Sequence, residues 1–324
     1  MALTAVILAA GKSTRMKSKR PKPLHELCGR PMLDYILRAC WEAGCSKAIL
    51  VVGYGKDEVI AQFGSDPRIV FVEQTEQLGT GHAVRVCEHE LRQVKGSVVI
   101  LTGDVPLVRP EVLTTLVKGH HDDKADASMA TAVLEDPTGY GRIVRDGKGD
   151  FVQIVEQIDC TPEQREIREV FPSFYCVKAE ELLFALSRLT NNNRKKEYYL
   201  TDIYSILRNA GRRVLALQCV TSEDVIAPNS RQELALADAV MQERIQRQHR
   251  EAGVSVSSAG TVYIEDGASI GPDTVIHPFS FIGRDAVIGA ECVIGPFAVV
   301  PRSSVVQEGT TIAGNVSAET TILQ

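Results

Sequence analysis

The last quarter of the chain carries an aliphatic residue at every sixth position. The nine members of this series are Ile264, Ile270, Ile276, Ile282, Ile288, Ile294, Val300, Val306 and Ile312. A small or short residue lies two positions before each of the last eight, and glycine directly follows four of them. This period is the hexapeptide repeat of a β-helix, in which each hexad forms one short strand and buries its aliphatic residue. Nine hexads predict about three triangular coils, in a domain that spans residues 254–324.

The preceding part of the chain alternates apolar runs, which are typical of buried strands, with amphipathic segments, which are typical of helices. Strands are predicted at 5–8, 47–52, 68–72 and 97–104, and helices at 31–44 and 57–63. This alternation predicts an α/β domain with a parallel sheet and helices on both faces, which we assign to residues 1–229. Residues 230–253 are helical and highly charged, so we interpret them as a linker.

The pattern of the α/β domain changes after residue 127. Two strands, 139–145 and 151–157, are joined by a turn at Gly147-Lys-Gly, and a short charged helix follows at 161–169. The remaining predicted elements are a strand at 170–177, a helix from Ala179, a helix that ends at Gly211, and a strand at 213–218. Residues 195–198, before the second of these helices, either rim a binding pocket or form a solvated loop.

Composition narrows the functional classes. The chain has 324 residues with 44% hydrophobic and 24% charged positions, which is typical of a globular protein of about two domains. A net charge of -5 argues against general nucleic-acid binding. No apolar segment approaches the roughly 20 residues of a membrane span, so no membrane partner is expected. The eight cysteines are scattered without metal-type spacing, which predicts reduced thiols in a cytoplasmic protein.

A cluster of basic residues follows the first strand. Small residues come first, from Ala9 to Gly11, and six lysines and arginines then lie between Lys12 and Lys22. Small residues let the backbone approach a ligand, and cations at a strand end favour a polyphosphate. The loop is not a Walker A motif, which requires glycine where Val6 stands, and it lacks the second glycine of a dinucleotide fingerprint. A basic surface loop is the alternative interpretation.

Three later strand ends carry further candidate ligands. Gln74 offers a donor and an acceptor for the edge of a base, although the turn that follows it can also be a simple helix start with Thr80 as the N-cap. Asp104 ends a buried strand and is a candidate Mg²⁺ ligand, the alternative being a cap of the next turn. Glu156, near Gly141, is placed either to hold sugar hydroxyls or at a solvated strand end. Ligands bind at the carboxyl ends of strands in such sheets.

The motif Leu-Ala-Ala-Gly-x-x-Thr-Arg-Met followed by Pro-Lys resembles the signature of the sugar-nucleotide pyrophosphorylases. As a set, the motifs resemble the family of bacterial bifunctional enzymes that combine N-acetylglucosamine-1-phosphate uridyltransferase with glucosamine-1-phosphate acetyltransferase. The matching segments are Leu8–Lys22, Glu76–Ala83, Gly103–Pro106, Gly139–Ile143, Val155–Gln157, Glu197–Asp202 and Asn229. They occur in order along the whole first domain.

The resemblance implies a Rossmann-like nucleotidyltransferase domain followed by a short left-handed parallel β-helix. It implies that UTP and a sugar 1-phosphate are the substrates, that UDP-N-acetylglucosamine or a close UDP-sugar is made for cell-wall biogenesis, and that the β-helix holds a homotrimer. The implied nucleotide-binding residues are Leu8, Ala9, Ala10, Gly11, Gln74, Gly79 and Thr80. By the same resemblance, Arg15 and Lys22 bind the phosphates as catalytic residues, Asp104 and Asn229 hold Mg²⁺, and Gly141 and Glu156 contact the sugar.

The chain departs from this family at three places. Ser13 replaces a second glycine, and Phe171 replaces an asparagine that helps to hold the substrate. The family's β-helix is also longer and carries its acetyltransferase residues in later coils, so we expect that activity to be absent here. The alternatives are a nucleotidyltransferase for a different sugar 1-phosphate, a catalytically weak nucleotide-sugar-binding protein, and an acyltransferase that works through the β-helix.

Overall fold

The structure is a computed structural model that describes residues 2–12, 14–314 and 322–323. Within these residues the chain divides into two compact units. The first is formed by Met1–Leu24 together with Met32–Ser230, and the second by His25–Pro31 together with Arg231–Gln324. The second unit therefore includes seven residues that come from within the predicted first domain. The sequence did not predict this division.

The described strands up to residue 220 are β1 (Ala2–Leu8), β2 (Glu26–Leu27), β3 (Arg30–Pro31), β4 (Lys47–Val52), β5 (Ile69–Glu73), β6 (Gly96–Thr102), β7 (Ala127–Val133), β8 (Gly141–Arg145), β9 (Phe151–Val155), β10 (Glu169–Phe171), β11 (Tyr175–Lys178) and β12 (Val214–Val220). The helices are α1 (Met32–Glu42), α2 (Lys56–Phe63), α3 (Thr80–Arg85), α4 (Glu88–Leu91), α5 (Pro110–Asp122), α6 (Pro162–Arg165), α7 (Ala179–Leu186), α8 (Asp202–Asn209) and α9 (Arg231–Glu251). Short 3₁₀ turns lie at Thr14–Met16, Lys22–Leu24 and Ala259–Thr261.

The first unit is built on one mixed sheet, with the strand order β5-β4-β1-β6-β11-β7-β10-β8-β9 and β12 beside β7. Strands β5, β4, β1 and β6 pair in parallel, as predicted for this half. Strand β11 then runs antiparallel to both β6 and β7. The parallel half brings the carboxyl ends of β1, β5 and β6 to the same edge, where the candidate ligands follow them.

The central strands are apolar on both faces because helices cover both sides of the sheet. In β1, Ala5 and Ile7 belong to one buried cluster, whereas Val6 belongs to the other. Strand β6 repeats this alternation, with Val99 in the first cluster and Val98 in the second. Successive side chains of a strand point to opposite faces, so one continuous apolar run supplies both cores.

The predicted strand 170–177 is wrong, because the structure divides this segment into two strands. Strand β10 pairs with β7 and β8, whereas β11 pairs with β6 and β7. Pro172 has no N–H to donate to a ladder, and Ser173 has a positive φ of 66°. These two residues end one strand and redirect the chain into the next.

The segment predicted as a linker is helix α9, which packs within the second unit. Ala237, Met241 and Ile245 are buried at a spacing of four residues, which places them on one helix face. Gln242 lies beside this stripe, and its Nε2 donates a 2.6 Å hydrogen bond to the backbone oxygen of Ile264. The many charges of α9 hid this narrow buried stripe in the sequence.

From residue 255 onward, the described part of the second unit is a left-handed β-helix. Its strands are β13 (Ser255–Val256), β14 (Tyr263–Ile264), β15 (Ser269–Ile270), β16 (Val275–Ile276), β17 (Phe281–Ile282), β18 (Val287–Ile288), β19 (Val293–Ile294), β20 (Val299–Val300), β21 (Val305–Val306), β22 (Thr311–Ile312) and β23 (Ile322–Leu323). They stack in parallel into three sheets, and all nine aliphatic residues of the hexads are buried, as predicted. Glycine is needed where coils approach closely, since a Cβ on Gly283 would lie 2.5 Å from the backbone nitrogen of Arg302.

Two further observations concern the whole described chain. All eight cysteines are free thiols, and seven of them are buried. Among the helices that the structure describes, none combines the length and the apolar character that crossing a membrane requires.

Candidate active site

A pocket of about 500 Å³ opens in the first unit, at the carboxyl ends of β1, β5 and β6. Its lining includes eleven of the thirteen predicted site residues, namely Leu8, Ala9, Ala10, Gly11, Arg15, Lys22, Gln74, Gly79, Thr80, Asp104 and Asn229. The other two, Gly141 and Glu156, do not line it. The pocket volume is in the range of sites that hold a small organic ligand.

The turn after β1 is held by neighbouring strand ends. The Ala9 nitrogen donates to the Val51 oxygen at 2.9 Å, and the Gly103 nitrogen donates to the Leu8 oxygen at 2.8 Å. The Ala10 oxygen accepts a 2.9 Å hydrogen bond from the Gln77 side chain. Sequence reasoning missed Gln77, which also lines the pocket. These hydrogen bonds hold residues 8–10 against the neighbouring strand ends.

The second wall of the pocket is the turn from β5 into α3. Gln74 is only 6% exposed, and its Nε2 lies 3.3 Å from the Gly79 oxygen and 3.1 Å from His82 Nδ1. Gly79 has a φ of 106°, and a Cβ on it would lie 2.7 Å from the Tyr198 oxygen. Glycine is thus required here twice, for its backbone conformation and for the space.

Thr80 does not cap helix α3, so that alternative is wrong. The N-cap position belongs to Gly79, and no side chain caps the helix. The Thr80 hydroxyl instead accepts a 3.1 Å hydrogen bond from the Leu200 nitrogen. Its contact with a segment 120 residues later along the chain ties the turn to the loop that precedes α8.

Lys22, Asp104 and Asn229 meet at the base of the pocket. The Lys22 ammonium donates to Asp104 Oδ2 at 2.5 Å and to Asn229 Oδ1 at 2.8 Å. The Asn229 amide nitrogen donates to the Ala227 oxygen at 2.8 Å, which turns the amide oxygen toward the lysine. The carboxylate and the amide oxygen therefore converge on one cationic atom, and Asp104 acts as more than a turn cap.

The other predicted phosphate ligand lies at the mouth of the pocket. Arg15 belongs to the 3₁₀ turn Thr14–Met16, and its side chain is exposed. Within the described part of the chain it has no hydrogen-bond or ion-pair partner, which leaves the guanidinium available to an anion. Lys12 lies nearby in the lining, with its ammonium 5.4 Å from the centre of the Tyr54 ring.

Gly141 and Glu156 lie side by side outside this pocket. A Cβ on Gly141 would stand 3.9 Å from Glu156 Oε1. Glu156 is not a solvated strand end, because it is partly buried and accepts a 3.0 Å hydrogen bond from the Thr201 hydroxyl. Burial raises the pKa of Glu156, and the bond from Thr201 offsets part of that rise.

Phe171 stands opposite Gly141 in the pairing of β10 with β8. It is 3% exposed and packs edge-to-face on the Tyr175 ring, with 4.7 Å between ring centres. The rings of Tyr204 and Phe151 extend this buried aromatic cluster. The floor beneath Gly141 is therefore apolar, and Phe171 offers no polar group to a ligand.

The fold and the pocket are those of an NTP transferase domain. Residues 5–254 match the family described as "MobA-like NTP transferase domain", and the chain belongs to this family. Residues 267–302 match the family "Bacterial transferase hexapeptide (six repeats)", in agreement with the β-helix.

The curated relatives include proteins named "Bifunctional protein GlmU". The one from Alkaliphilus metalliredigens is 43% identical over 278 residues, which is 86% of this chain and 60% of the relative. The one from Clostridioides difficile is 41% identical, with the same 86% and 60% coverage. The predicted resemblance to the bifunctional family is confirmed, and the chain spans about three fifths of the length of these relatives.

Two solved structures share the fold of the first unit. A structure of UDP-glucose pyrophosphorylase complexed with UDP-glucose has a TM-score of 0.63 at 19% identity, and covers 75% of this chain and 100% of its own. A putative glucose-1-phosphate thymidylyltransferase from Bacillus anthracis has a TM-score of 0.60 at 16% identity, and covers 74% of this chain and 95% of its own.

Proposed function

We propose that the protein is a uridylyltransferase that joins UTP to a sugar 1-phosphate, with N-acetylglucosamine 1-phosphate as the leading candidate and UDP-N-acetylglucosamine and pyrophosphate as products. The observation that carries the proposal is the convergence on one pocket of a base-edge ligand, Gln74, with the cations Arg15 and Lys22 and the oxygens of Asp104 and Asn229. The relatives named GlmU give independent support.

The reaction we infer needs no covalent intermediate on the protein. An oxygen of the sugar 1-phosphate attacks the α-phosphorus of UTP, a new P–O bond forms, and the bond to the departing pyrophosphate breaks. Leu8, Ala9, Ala10, Gly11, Gly79 and Thr80 line the nucleotide site, where Gln74 holds the uracil edge. Arg15 and Lys22 stabilise the charge on the phosphates, so catalysis is positioning and electrostatic stabilisation.

Mg²⁺ is the proposed metal, with Asp104 and Asn229 as its ligands. The donor set fits, because two hard oxygens already lie 2.5 and 2.8 Å from the same cationic atom, Lys22 Nζ. Among the described residues no cluster of three or more His, Cys, Asp or Glu forms an all-protein site. A site with two protein ligands is usual for Mg²⁺, which keeps waters and substrate phosphates in its shell. When bound, the ion would neutralise phosphate charge.

The identity of the sugar is a separate part of the proposal. Gly141 and the Glu156 carboxylate are the proposed sugar contacts, and a carboxylate accepts hydrogen bonds from hydroxyl or amide groups. Phe171 specifically favours a second candidate, a different sugar 1-phosphate, because the buried ring supplies no hydrogen bond at that position.

We also propose that the chain forms a homotrimer through its β-helix and acts in the cytoplasm. The hexapeptide match supports oligomerisation. Large apolar side chains are exposed on this domain, notably Phe279 at 58% and Phe297 at 63%, and exposed apolar patches commonly mark interfaces. The free thiols of all eight cysteines fit a reducing compartment.

Pyrophosphate release tests the transferase proposal directly. The wild-type chain is assayed with UTP and Mg²⁺ against the 1-phosphates of N-acetylglucosamine, glucosamine, glucose and N-acetylgalactosamine. Release with the first sugar is expected, and Asp104→Asn is expected to lower kcat at least about a hundredfold, because it removes the anionic ligand of the proposed Mg²⁺. The exposed Asp57→Asn on α2 is the matched control and should keep full activity.

Each other result assigns a different function. Release with one other sugar alone would move the assignment to that sugar and give Phe171 a role in the choice. No release with any sugar or nucleoside triphosphate would refute the enzyme and leave a nucleotide-sugar-binding protein. Acetyl-CoA turnover, measured in parallel, would contradict the expectation that acetyltransferase activity is absent.

A further inference from the structure

Thr201 occupies the N-cap position of α8 but does not cap the helix. Threonine is favoured at this position because its hydroxyl normally accepts a hydrogen bond from the first turn of the helix. Here no side-chain cap bond is present, and the backbone is already helical, with φ of -56° and ψ of -26°. A residue that breaks a local rule in this way is often held by a function elsewhere.

The hydroxyl of Thr201 is used by Glu156 instead. It donates a 3.0 Å hydrogen bond to Glu156 Oε1, between residues 45 positions apart in sequence. Thr201 is 9% exposed, so this bond is shielded from water. One carboxylate oxygen is thus occupied, which orients the carboxylate and leaves Oε2 to accept a hydroxyl or amide N–H from a ligand.

The segment that carries Thr201 also holds the nucleotide side of the pocket. The Gly81 nitrogen donates to the Tyr198 oxygen at 2.7 Å, and the Tyr198 nitrogen donates to the Leu78 oxygen at 2.8 Å. The Leu200 nitrogen donates to the Thr80 hydroxyl at 3.1 Å. Residues 198–200 are therefore hydrogen-bonded to the turn 78–81, and the next residue, Thr201, is hydrogen-bonded to Glu156.

We propose that Thr201 is a positioning residue that fixes Glu156 relative to the nucleotide-binding turn and so sets the distance between the sugar and nucleotide subsites. The inference rests on the proposed function, because it takes Glu156 as a sugar ligand. Its ligand class is a sugar 1-phosphate with a hydroxyl or amide donor aimed at Oε2. A correctly spaced pair of subsites presents the attacking phosphate to the α-phosphorus of UTP.

The hydrogen bond from Thr201 can be tested through the pKa of Glu156, which also depends on the charges around it. Lys195 favours the carboxylate, whereas Asp159 and Glu197 oppose it, and Asp202, Tyr175 and Tyr199 also face it. Burial is the largest cause of the raised pKa, and the hydroxyl of Thr201 is the first that counters it. Removing that hydroxyl would raise the pKa of Glu156 further, because the charged form loses a donor.

The test compares Thr201→Val, which keeps the shape and removes the hydroxyl, with Thr201→Ser, which keeps the hydroxyl. For Val we expect KM for the sugar 1-phosphate to rise about tenfold, the worth of one hydrogen bond to a charged group, while KM for UTP stays within about twofold. The acidic limb of the kcat/KM profile should move to higher pH. Ser should restore both, and Thr114→Val on α5 should change neither.

Binding measurements keep the proposal testable without turnover. Calorimetry with UDP-N-acetylglucosamine and with UTP should show that Thr201→Val weakens only the sugar nucleotide. Equal losses for both ligands, or no loss for either, would refute the role of Thr201. Glu156→Gln separates the role of Thr201 from the sugar subsite of the proposed function. Unchanged sugar affinity in that variant would refute the sugar subsite itself. Absence of both binding and turnover in the wild type would overturn both.

Discussion

At the scale of single residues, His120 shows how strongly burial alters a side chain. It lies on α5 with 1% of its surface exposed, and its Nδ1 is 2.9 Å from the Ser128 hydroxyl. Burial, with smaller contributions from the nearby His121 and Lys178 and against that of Asp126, lowers its pKa to about 4. The native state therefore holds a neutral imidazole, whereas the unfolded chain has one with the ordinary pKa of 6.5.

This difference predicts a loss of stability in acid. The folded pKa lies below the unfolded one, so the contribution is complete above pH 6.5 and is lost as the pH falls toward 4, by about 3 kcal/mol in all. His120→Asn, whose amide can still reach Ser128, should flatten the free energy of unfolding across that window in urea titrations. The exposed His89→Asn should keep the wild-type slope, and an unchanged slope in His120→Asn would contradict the assignment.

Residue roles were predictable only where a local motif carried them. The basic loop and Asp104 follow strand ends, so topology alone brings them to one edge of the sheet. Gln77 and Thr201 act on the pocket through partners that lie far away in sequence, and no periodicity marks them. Glu197 belongs to the segment 195–198, for which a pocket rim was one of two interpretations, and it lines the pocket. No sequence pattern predicted the contact of Lys22 with Asp104 and Asn229. The predicted role of Lys22 in binding phosphate stays a prediction.

At the scale of elements, the turn from β5 into α3 depends on one glycine. Gly79 combines a φ of 106° with a Cβ position that would lie 2.7 Å from the Tyr198 oxygen and 2.9 Å from the Glu197 Cβ. The turn thus packs directly on the segment that precedes α8. Any side chain at this position must displace one of the two walls of the pocket.

Gly79→Ala is therefore expected to raise KM for UTP at least tenfold, since the displaced turn carries the nucleotide ligands. The matched control is Gly44→Ala, because Gly44 has a similar φ of 93° but nothing within 4 Å of its Cβ position. Both variants place an alanine at a positive φ, which strains the backbone. Only Gly79→Ala also brings its Cβ too close to neighbouring atoms. Equal steady-state kinetics in the two variants would show that the close approach does not shape the site.

Elements were predicted well where a repeat or a clear boundary fixed their limits, and poorly where a break lay inside a mostly apolar run. Strand β4 has the predicted bounds, and each hexad supplies one strand, because six-residue spacing admits one solution. The run 170–177 is apolar on both sides of Pro172 and Ser173, and the structure shows that the strand breaks at these two residues. Helix α9 was expected to be a linker, because its many charges conceal the narrow buried stripe by which it packs in the second unit.

At the scale of the whole molecule, the β-helix carries a stacked aromatic pair on its surface. The rings of Phe279 and Phe297 lie 5.1 Å apart and nearly parallel, and both are more than half exposed. Both residues have a positive φ near 60°, so they stand at corners between strands. Such a pair is costly in water and favourable in an interface.

The proposed homotrimer predicts a solution mass of three chains by light scattering. Phe279→Ser combined with Phe297→Ser is expected to shift the mass toward one chain, because the pair loses its apolar surface. Ile158→Ser, in the first unit and 43% exposed, is the control and should leave the mass unchanged. A wild-type mass of one chain would refute the trimer, and an unchanged mass in the double variant would place the interface elsewhere on the β-helix.

The order in which the chain is synthesised has a consequence for the seven residues from His25 to Pro31. The Cys28 nitrogen donates to Asp238 Oδ1, a partner 210 positions later, and the Gly29 oxygen accepts from Arg284, 255 positions later. A ribosome makes the chain in order, so this hairpin emerges before its partners and waits until they have been made. Leu27 and Cys28 are buried in the folded unit, and this burial is completed only when those partners arrive. A hairpin that is made before its partners thus reaches its final place only after them.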